Sequence, residues 1–192
     1  MALSANVNFK IVSMDIRATF LQAKTLDREV FVRPPKDIEK EGEIWKLLKP
    51  LYGLDNASRK FYLKVKETLQ KLKLKTLPGD DAVYYEHKNG KLMGLILSHV
   101  DDFTTAGTRE FVKRIVSGIK RKFTVSKVEE NNFRFSGLDV KTKNGKIEIS
   151  MEDYAESIKE IKEIRKADRN EKLTKAELKE YRKYTGKLSW LA

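Results

Sequence analysis

Two Asn-Gly steps, at residues 89–90 and 144–145, each lie between two strand-like segments. The four segments span residues 83–86, 91–100, 135–142 and 146–150. An Asn-Gly step between two strands strongly predicts a tight hairpin, because both of its residues accept the positive φ that such turns require. Hairpins join antiparallel strands. The chain is therefore expected to build an antiparallel sheet and not the regular strand–helix alternation of a parallel α/β fold.

Helical periodicity marks the segments between and after these strands. Residues 57–74 repeat apolar side chains at helical spacing, and residues 108–123 do the same behind Thr108, a suitable N-cap. A third helix begins with a capping box at 174–177, and a fourth, shorter helix is predicted around Tyr154, Ile158 and Ile161. Further strands are predicted at 29–33 and 44–48, and a polar break at 168–172. The predicted fold class is α+β, with helices packed on one face of the sheet.

Composition narrows the possible functions. The 192 residues include 40 Lys and Arg against 28 Asp and Glu, and the net charge of +12 favours a nucleic acid or another anionic partner over a basic protein that lacks one. The absence of cysteine excludes disulfides and thiolate chemistry, and two histidines argue against zinc clusters and serine–histidine–acid triads. Without a long apolar run or a signal-peptide pattern, we expect an intracellular protein, cytoplasmic or nuclear, with no membrane span.

Carboxylates are the remaining candidates for chemistry. Asp101 and Asp102 directly follow the apolar segment 95–100, and Asp15 follows a second strand-like segment at 9–14. Two adjacent carboxylates at a strand end repel each other unless a cation compensates them, and oxygen ligands suit Mg²⁺. Three carboxylates from two strand ends are able to hold a pair of metal ions for phosphoryl transfer. The alternative is that the acidic pair simply marks a hairpin turn, which is the commoner meaning of such a pair.

Taken in order along the chain, the motifs resemble those of Ty1/copia-type retrotransposon reverse transcriptases. The matching segments are 14–21 with the first acid, 29–35, 51–59 (Leu-Tyr-Gly-Leu-Asp-Asn-Ala-Ser-Arg), 99–102 (His-Val-Asp-Asp), 135–140 and 181–192. The resemblance implies a palm-type antiparallel sheet in residues 1–150, followed by a small helical, thumb-like segment in 151–192. It also implies an RNA-directed DNA polymerase that uses two Mg²⁺ or Mn²⁺ ions held by Asp15, Asp101 and Asp102.

The resemblance assigns further roles along the chain. Phe20, Gly53 and Asn56 would face the incoming nucleotide, with the Phe20 ring as a gate against its 2′-hydroxyl. A core phenylalanine and an ordinary turn glycine are the alternative interpretations of Phe20 and Gly53. The residues expected to contact nucleic acid are Arg59, Lys60, His99 and Gly137. His99, Asn56 and Ser58 depart from the family pattern (usually Tyr, Gln and Pro), which leaves rate and fidelity open.

The partners implied are an RNA template, a DNA primer and deoxynucleoside triphosphates. Only fourteen residues precede Asp15, so fingers strands that clamp the triphosphate, like the RNase H regions, are expected to belong to a longer polyprotein. Polymerisation by this chain alone is accordingly expected to be weak or absent. The alternatives are a non-catalytic nucleic-acid-binding module derived from a retroelement and, third, an interaction piece that forms dimers through exposed sheet edges.

Overall fold

A six-stranded antiparallel sheet forms the body of the protein. The computed structural model describes residues 4, 8–159 and 172–191. The strands are β1 Lys10–Ile16, β2 Phe31–Val32, β3 Trp45–Lys46, β4 Lys75–Leu77, β5 Asp80–Lys88, β6 Lys91–His99, β7 Asp102–Gly107, β8 Val125–Glu130, β9 Asn132–Phe135, β10 Leu138–Lys143 and β11 Lys146–Ser150. The main sheet has the order β4-β5-β6-β7-β1-β8, and smaller sheets are formed by β11-β10-β9 and β2-β3.

Helices accompany the sheet as an α+β fold requires. They are α1 Ala57–Lys71, α2 Arg109–Lys120, α3 Glu152–Glu156 and α4 Lys175–Leu191, and a short 3-10 helix spans Thr19–Gln22. The predicted fold class is confirmed. In the part of the chain that the structure describes, no helix is long and apolar enough to cross a membrane.

The helices α1 and α2 cover one face of the main sheet. Strand β1 alternates its side chains, so Val12, Met14 and Ile16 point to this face and are almost fully buried. They join one core with the apolar stripes of the two helices, Phe61, Val65 and Leu69 from α1 and Phe111, Val112, Ile115 and Ile119 from α2. This core packs the two helices against one face of the sheet, so a site that needs solvent has to lie on the other face.

The opposite face of the sheet is only partly covered. Ile11 of β1 and Ala106 of β7 form a second, smaller core with Phe133, Phe135 and Val140 of the three-stranded sheet. Since Ile11 lies near the start of β1, this cover sits at one end of the strand pair. Asp15, at the other end of β1, is partly exposed.

Local capping signals that the sequence predicted are present. The Thr108 hydroxyl accepts a hydrogen bond from the backbone amide of Phe111 at 3.2 Å, which caps α2. At the start of α4, the Thr174 amide donates to the Glu177 carboxylate at 2.7 Å and the Glu177 amide donates to the Thr174 hydroxyl at 3.3 Å. This reciprocal pair is the predicted capping box.

Several predicted boundaries were wrong. Residues 135–142 are not one strand: β9 ends at Phe135 and β10 begins at Leu138, because Ser136 and Gly137 have φ values of 49° and 82° and form a turn. The segments 29–33 and 44–48 contain only the two-residue strands β2 and β3. The helices predicted at 57–74 and 108–123 end at Lys71 and Lys120. The fourth helix covers Glu152–Glu156, whereas Ile161 and most of the break at 168–172 lie outside the described residues.

Candidate active site

Asp15 and Asp102 face each other across the centre of the sheet. Strands β1 and β7 are antiparallel neighbours, and their register pairs Asp15 with Asp102 directly. Side chains of directly opposed residues project to the same face of a sheet. That face also carries Ile11 and Ala106 and is therefore the one away from α1 and α2. Asp15 was predicted just beyond the strand end; it lies within β1, next to its last residue.

Asp101 lies in the turn that precedes β7. His99 of β6 pairs with Asp102 of β7, so Val100 and Asp101 form a two-residue hairpin loop. The backbone amide of Ile16 donates to the carbonyl oxygen of Asp101 at 2.9 Å and ties this loop to the end of β1. The acidic pair lies at a hairpin turn, with Asp101 in the loop and Asp102 at the start of β7 opposite Asp15; whether the pair also binds metal stays a prediction.

Asp101 and Asp15 act electrostatically on Asp102. Burial raises the pKa of Asp102 above its ordinary value, and the neighbouring charges of Asp101 and Asp15 raise it further, while His99 partly opposes them. Asp15 is engaged on its other side, since the Ser126 hydroxyl of β8 donates to its carboxylate and, at 3.1 Å, to its carbonyl oxygen. Negative charge is therefore concentrated at one edge of the open face.

The donor set suits a hard divalent cation, although its side chains do not form a closed cage. Among residues 4, 8–159 and 172–191, no three histidine, aspartate, glutamate or cysteine side chains converge as a group able to hold a metal ion. The hydrogen bond from Ser126 draws the Asp15 carboxylate toward β8, away from β7. Carboxylate oxygens are nevertheless the ligands that Mg²⁺ and Mn²⁺ favour.

Phe20 lies in the core on the helix side of the main sheet. Its side chain is 7% exposed and belongs to the helix-side core, and its ring meets that of Tyr52 edge to face at 4.5 Å. It also lines a cavity of about 280 Å³ together with Val100 of the turn and with Phe61 and Val65 of α1. Phe20 is thus a core residue that lines the same cavity as Val100 of the turn; its role as a nucleotide gate stays a prediction.

The loop before α1 carries the other two residues predicted to face the nucleotide. Gly53 has a φ of 90° with open space around its Cα, so this turn requires a left-handed conformation at that position. Asn56 occupies the N-cap position of α1 without capping it, and its buried side-chain oxygen has no hydrogen-bond partner among the described residues. The structure does not bring either residue into contact with the acids.

Three lysines of α1 already have partners within the protein. The ammonium groups of Lys60, Lys64 and Lys66 pair with the Asp27 carboxylate, the Gln22 carbonyl oxygen and the Asp81 carboxylate, respectively. Arg59 is exposed, and within the described part of the chain it has no ion pair or hydrogen bond. Of the two α1 residues predicted to contact nucleic acid, Arg59 is available to a phosphate and Lys60 has a partner within the protein.

The β9–β10 hairpin, with Gly137 at its tip, contacts the C-terminal helix. A Cβ at Gly137 would lie 3.5 Å from the Trp190 ring of α4. Arg134 links the two strands close to this tip, since its guanidinium donates two hydrogen bonds of 2.9 Å to Asp139 and one of 3.0 Å to Asp153. This contact lowers the pKa of Asp139. His99, the last residue predicted to contact nucleic acid, is exposed on the same face as Asp102.

The contact between Ser126 and Asp15 was not predicted from the sequence. Ser126 lies 111 residues from Asp15 along the chain and reaches it only because β8 pairs with β1 at the sheet edge. Val125–Glu130 contains three charged residues and no strong strand pattern. The weak signal that was present is its position directly after a predicted helix, where an antiparallel sheet needs a further strand.

Carboxylates at the ends of adjacent antiparallel strands, on the face away from two packed helices, are typical of the palm of a nucleic-acid polymerase. The family model described as reverse transcriptase (RNA-dependent DNA polymerase) matches residues 1–177, and the chain belongs to this family. Together with the transposon relatives described next, this match confirms the predicted resemblance to Ty1/copia-type reverse transcriptases.

Relatives from plants and yeast agree with this assignment at low identity. The Retrovirus-related Pol polyprotein from transposon TNT 1-94 of Nicotiana tabacum is 22% identical over 83% of this chain and 12% of its own length. The corresponding protein from transposon RE1 of Arabidopsis thaliana is 24% identical over 80% of this chain and 11% of its own. The transposon Ty1-DR4 Gag-Pol polyprotein of Saccharomyces cerevisiae is 26% identical over 80% of this chain and 10% of its own length. The chain spans about a tenth of the length of these curated relatives.

Proposed function

We propose that the chain performs template-directed addition of deoxynucleotides to a primer 3′ end, as the catalytic core of a copia-type retroelement polyprotein. The template is RNA, the primer is DNA, and the reaction depends on Mg²⁺ or Mn²⁺. The observation that carries the proposal is the direct pairing of Asp15 with Asp102, with Asp101 in the adjoining turn. Family membership supports it independently.

Asp15, Asp101 and Asp102 are the proposed ligands for two divalent ions. Bound there, such ions would lower the pKa of the attacking primer hydroxyl and would neutralise charge on the leaving pyrophosphate. The contribution of the protein is to bring together the backbone segments that carry the three acids: the register of β1 and β7 sets Asp15 opposite Asp102, and the Ile16–Asp101 hydrogen bond ties the turn that carries Asp101 to the end of β1.

The neighbouring residues receive roles in the same proposal. Phe20, at the edge of the cavity below the turn, restricts the space available to a 2′-hydroxyl, while Gly53 and Asn56 face the nucleotide from the loop before α1. Arg59 neutralises a backbone phosphate, and Lys60 contributes indirectly through its pair with Asp27. His99 and the hairpin tip at Gly137 contact the primer side of the duplex.

A primer-extension assay tests the proposal. A labelled DNA primer on an RNA template is incubated with excess protein, the four deoxynucleotides and Mg²⁺ or Mn²⁺; excess protein is used because weak extension is expected. We expect metal-dependent extension that Asp101→Asn abolishes and that Glu39→Gln, a change in a distant exposed loop, leaves intact. Equal extension by the wild type and by folded Asp101→Asn contradicts the proposed site.

A second candidate is a nucleic-acid-binding module without chemistry. It is favoured by the net charge of +12 and by the hydrogen bond that holds Asp15 toward Ser126. Such a module binds template–primer duplex with an affinity whose logarithm falls linearly with log salt. Binding with this dependence, combined with no extension under any metal, supports the module and argues against the polymerase.

A further inference from the structure

Thr104 is a buried residue with a hydroxyl side chain, and it lies next to the pair formed by Asp15 and Asp102, which is called the acidic row below. It lies two residues after Asp102 in β7 and on the same face, and its register partner in β1 is Ser13, two residues before Asp15. Thr104 is 6% exposed and Ser13 is 5% exposed. Among the described residues, the Thr104 hydroxyl has no hydrogen-bond partner. A buried hydroxyl without a partner is unfavourable and rare in folded proteins, so its position calls for an explanation.

Two neighbouring positions offer the Thr104 hydroxyl a polar partner: Ser13, directly opposite it in β1, and Asp102, toward the strand end. Across the sheet, Thr104 pairs with the apolar Leu97 of β6, and the next row on its own face is Ile11 and Ala106 under the second core. Toward the strand end lies the carboxylate of Asp102. Alternate residues of a strand are about 7 Å apart, which is too far for a direct bond between short side chains but suits one bridging water.

A water at this place finds enough partners. Asp15 and Asp102 are partly exposed, so solvent reaches the row in front of Thr104. The Thr104 hydroxyl, the Ser13 hydroxyl and the Asp102 carboxylate together supply three polar groups, which matches the two to four partners that ordered internal waters usually have. The hydroxyl of Thr104 would donate to the water, and the water would donate to the carboxylate.

We propose that Thr104, with Ser13 beside it, is a positioning residue that orients the Asp102 carboxylate for a divalent cation through one bridging water. The proposal rests on the proposed metal site, because it describes how that site is held. Groups that hydrogen-bond to metal ligands fix their orientation, and their loss commonly weakens metal affinity by roughly 10- to 100-fold.

The adjacent threonine provides a matched control. Thr105 is fully buried and Thr104 nearly so, but the Thr105 side chain lies on the helix face, opposite Val12, and its hydroxyl donates to the Leu95 carbonyl oxygen at 3.1 Å. Thr105→Val removes a hydroxyl of the same kind from the next residue, whose side chain lies on the helix face of the sheet. A general effect of losing a buried threonine hydroxyl in β7 therefore appears in both variants, and an effect on the acidic row appears in Thr104→Val alone.

The test is a Mn²⁺ titration of the full chain followed by electron paramagnetic resonance, without nucleic acid. Thr104→Val is expected to bind Mn²⁺ about tenfold more weakly than the wild type. Thr104→Ser, which keeps the hydroxyl, and Thr105→Val are expected to bind as the wild type does. If Thr104→Val does not fold, Ser13→Ala, which removes the neighbouring hydroxyl with little change in volume, is expected to weaken Mn²⁺ binding in the same direction.

The outcomes separate this inference from the proposal on which it rests. A wild-type chain that binds no Mn²⁺ contradicts the metal site and the inference together. A wild type that binds Mn²⁺, with Thr104→Val (or Ser13→Ala in its place) unchanged, contradicts only the role of Thr104. An equal loss in Thr105→Val also overturns it, since the effect is then not specific to the acidic face.

Discussion

The backbone amide of Ile16 donates a hydrogen bond of 2.9 Å to the carbonyl oxygen of Asp101. Because Ile16 directly follows Asp15, this bond joins the backbone beside one acid to the turn that carries the next. Its energetic value is modest, about 1 kcal/mol net for a typical hydrogen bond. Its consequence is geometric, since it sets the distance between two segments that are far apart in sequence.

The turn itself holds a residue in an unfavourable conformation. Val100 has a φ of 53°, which a β-branched side chain rarely adopts, and Asp101 does not share the positive φ. In hairpin loops of this type, the first central residue is usually glycine. We expect Val100→Gly to raise the free energy of unfolding by about 1 kcal/mol, because left-handed backbone costs non-glycine residues roughly that amount.

Urea denaturation measures this effect, and Val100→Ala is the matched control. Alanine removes most of the same side chain but keeps a Cβ, so it should gain much less than glycine does. Equal stability of the two variants would show that Val100 is not strained.

The second prediction concerns the pH dependence of stability near Asp102. The pKa of Asp102 is raised in the folded protein, mainly by burial and then by Asp101 and Asp15. A raised carboxyl pKa means that the folded state binds the proton more tightly than the unfolded chain does, so stability is lost as the pH rises through that pKa. Asp102→Asn should therefore be more stable than the wild type at pH 7 without metal.

Denaturation in the presence of a chelator at pH 7 and at pH 3 checks this sign. Below the ordinary carboxyl pKa of 3.8, Asp102 is protonated in both states and the gain from asparagine should disappear. A variant that is less stable than the wild type at pH 7 would mean that Asp102 stabilises the fold and carries no strain for function.

The third prediction concerns close packing between β6 and α2. A Cβ at Gly94 would lie 2.6 Å from the Ala106 carbonyl oxygen and 2.3 Å from the Phe111 ring. Because the backbone atom has little freedom to move, Gly94→Ala should lower the free energy of unfolding by about 1–3 kcal/mol.

Gly186, in the middle of α4, provides the contrast for this substitution. A Cβ there meets no atom within 4 Å among the residues that the structure describes. Gly186→Ala should stabilise the helix by about 0.5–1 kcal/mol. Thermal unfolding of both variants decides the point; destabilisation by both substitutions, or by neither, would contradict this account of the packing.

The fourth prediction distinguishes two neighbouring basic residues of α1. Arg59 is exposed and free of partners in the described part of the chain, whereas Lys60 pairs with Asp27. Arg59→Ala should weaken binding to a template–primer duplex and lower the slope of log affinity against log salt by about 1, the value for one phosphate contact. Lys60→Ala should leave the slope nearly unchanged.

Fluorescence anisotropy at several salt concentrations gives both slopes. A larger loss of slope for Lys60→Ala than for Arg59→Ala would contradict the assignment and would place the nucleic acid nearer to Asp27.

Much of the fold was predictable because its signals are local. The Asn-Gly steps gave the hairpins β5–β6 and β10–β11, and Thr108 and the capping box at 174–177 gave the starts of α2 and α4. Strand β7 was missed because Asp102–Gly107 is short and rich in small polar residues. It is a strand because β6 and β1 pair with it on both sides, which no local pattern reveals.

The candidate site likewise has features that could be predicted from the sequence and features that could not. The acids at 15, 101 and 102 were visible from motifs and strand ends. The Ser126 contact, the turn at Ser136 and the buried row of Ser13 and Thr104 depend on which strands pair and in which register. Register is decided by the whole sheet, so these features became evident only with the structure.

The central claim is that Asp15, Asp101 and Asp102 together bind divalent metal ions. Paramagnetic broadening of backbone amide signals by substoichiometric Mn²⁺ tests it most directly. The account predicts that the signals of Asp15, Ile16, Asp101 and Asp102 are lost first and that Asp102→Asn prevents the loss. Broadening centred elsewhere, for example on the acidic loop at residues 37–43, or broadening that Asp102→Asn leaves unchanged, would contradict the account.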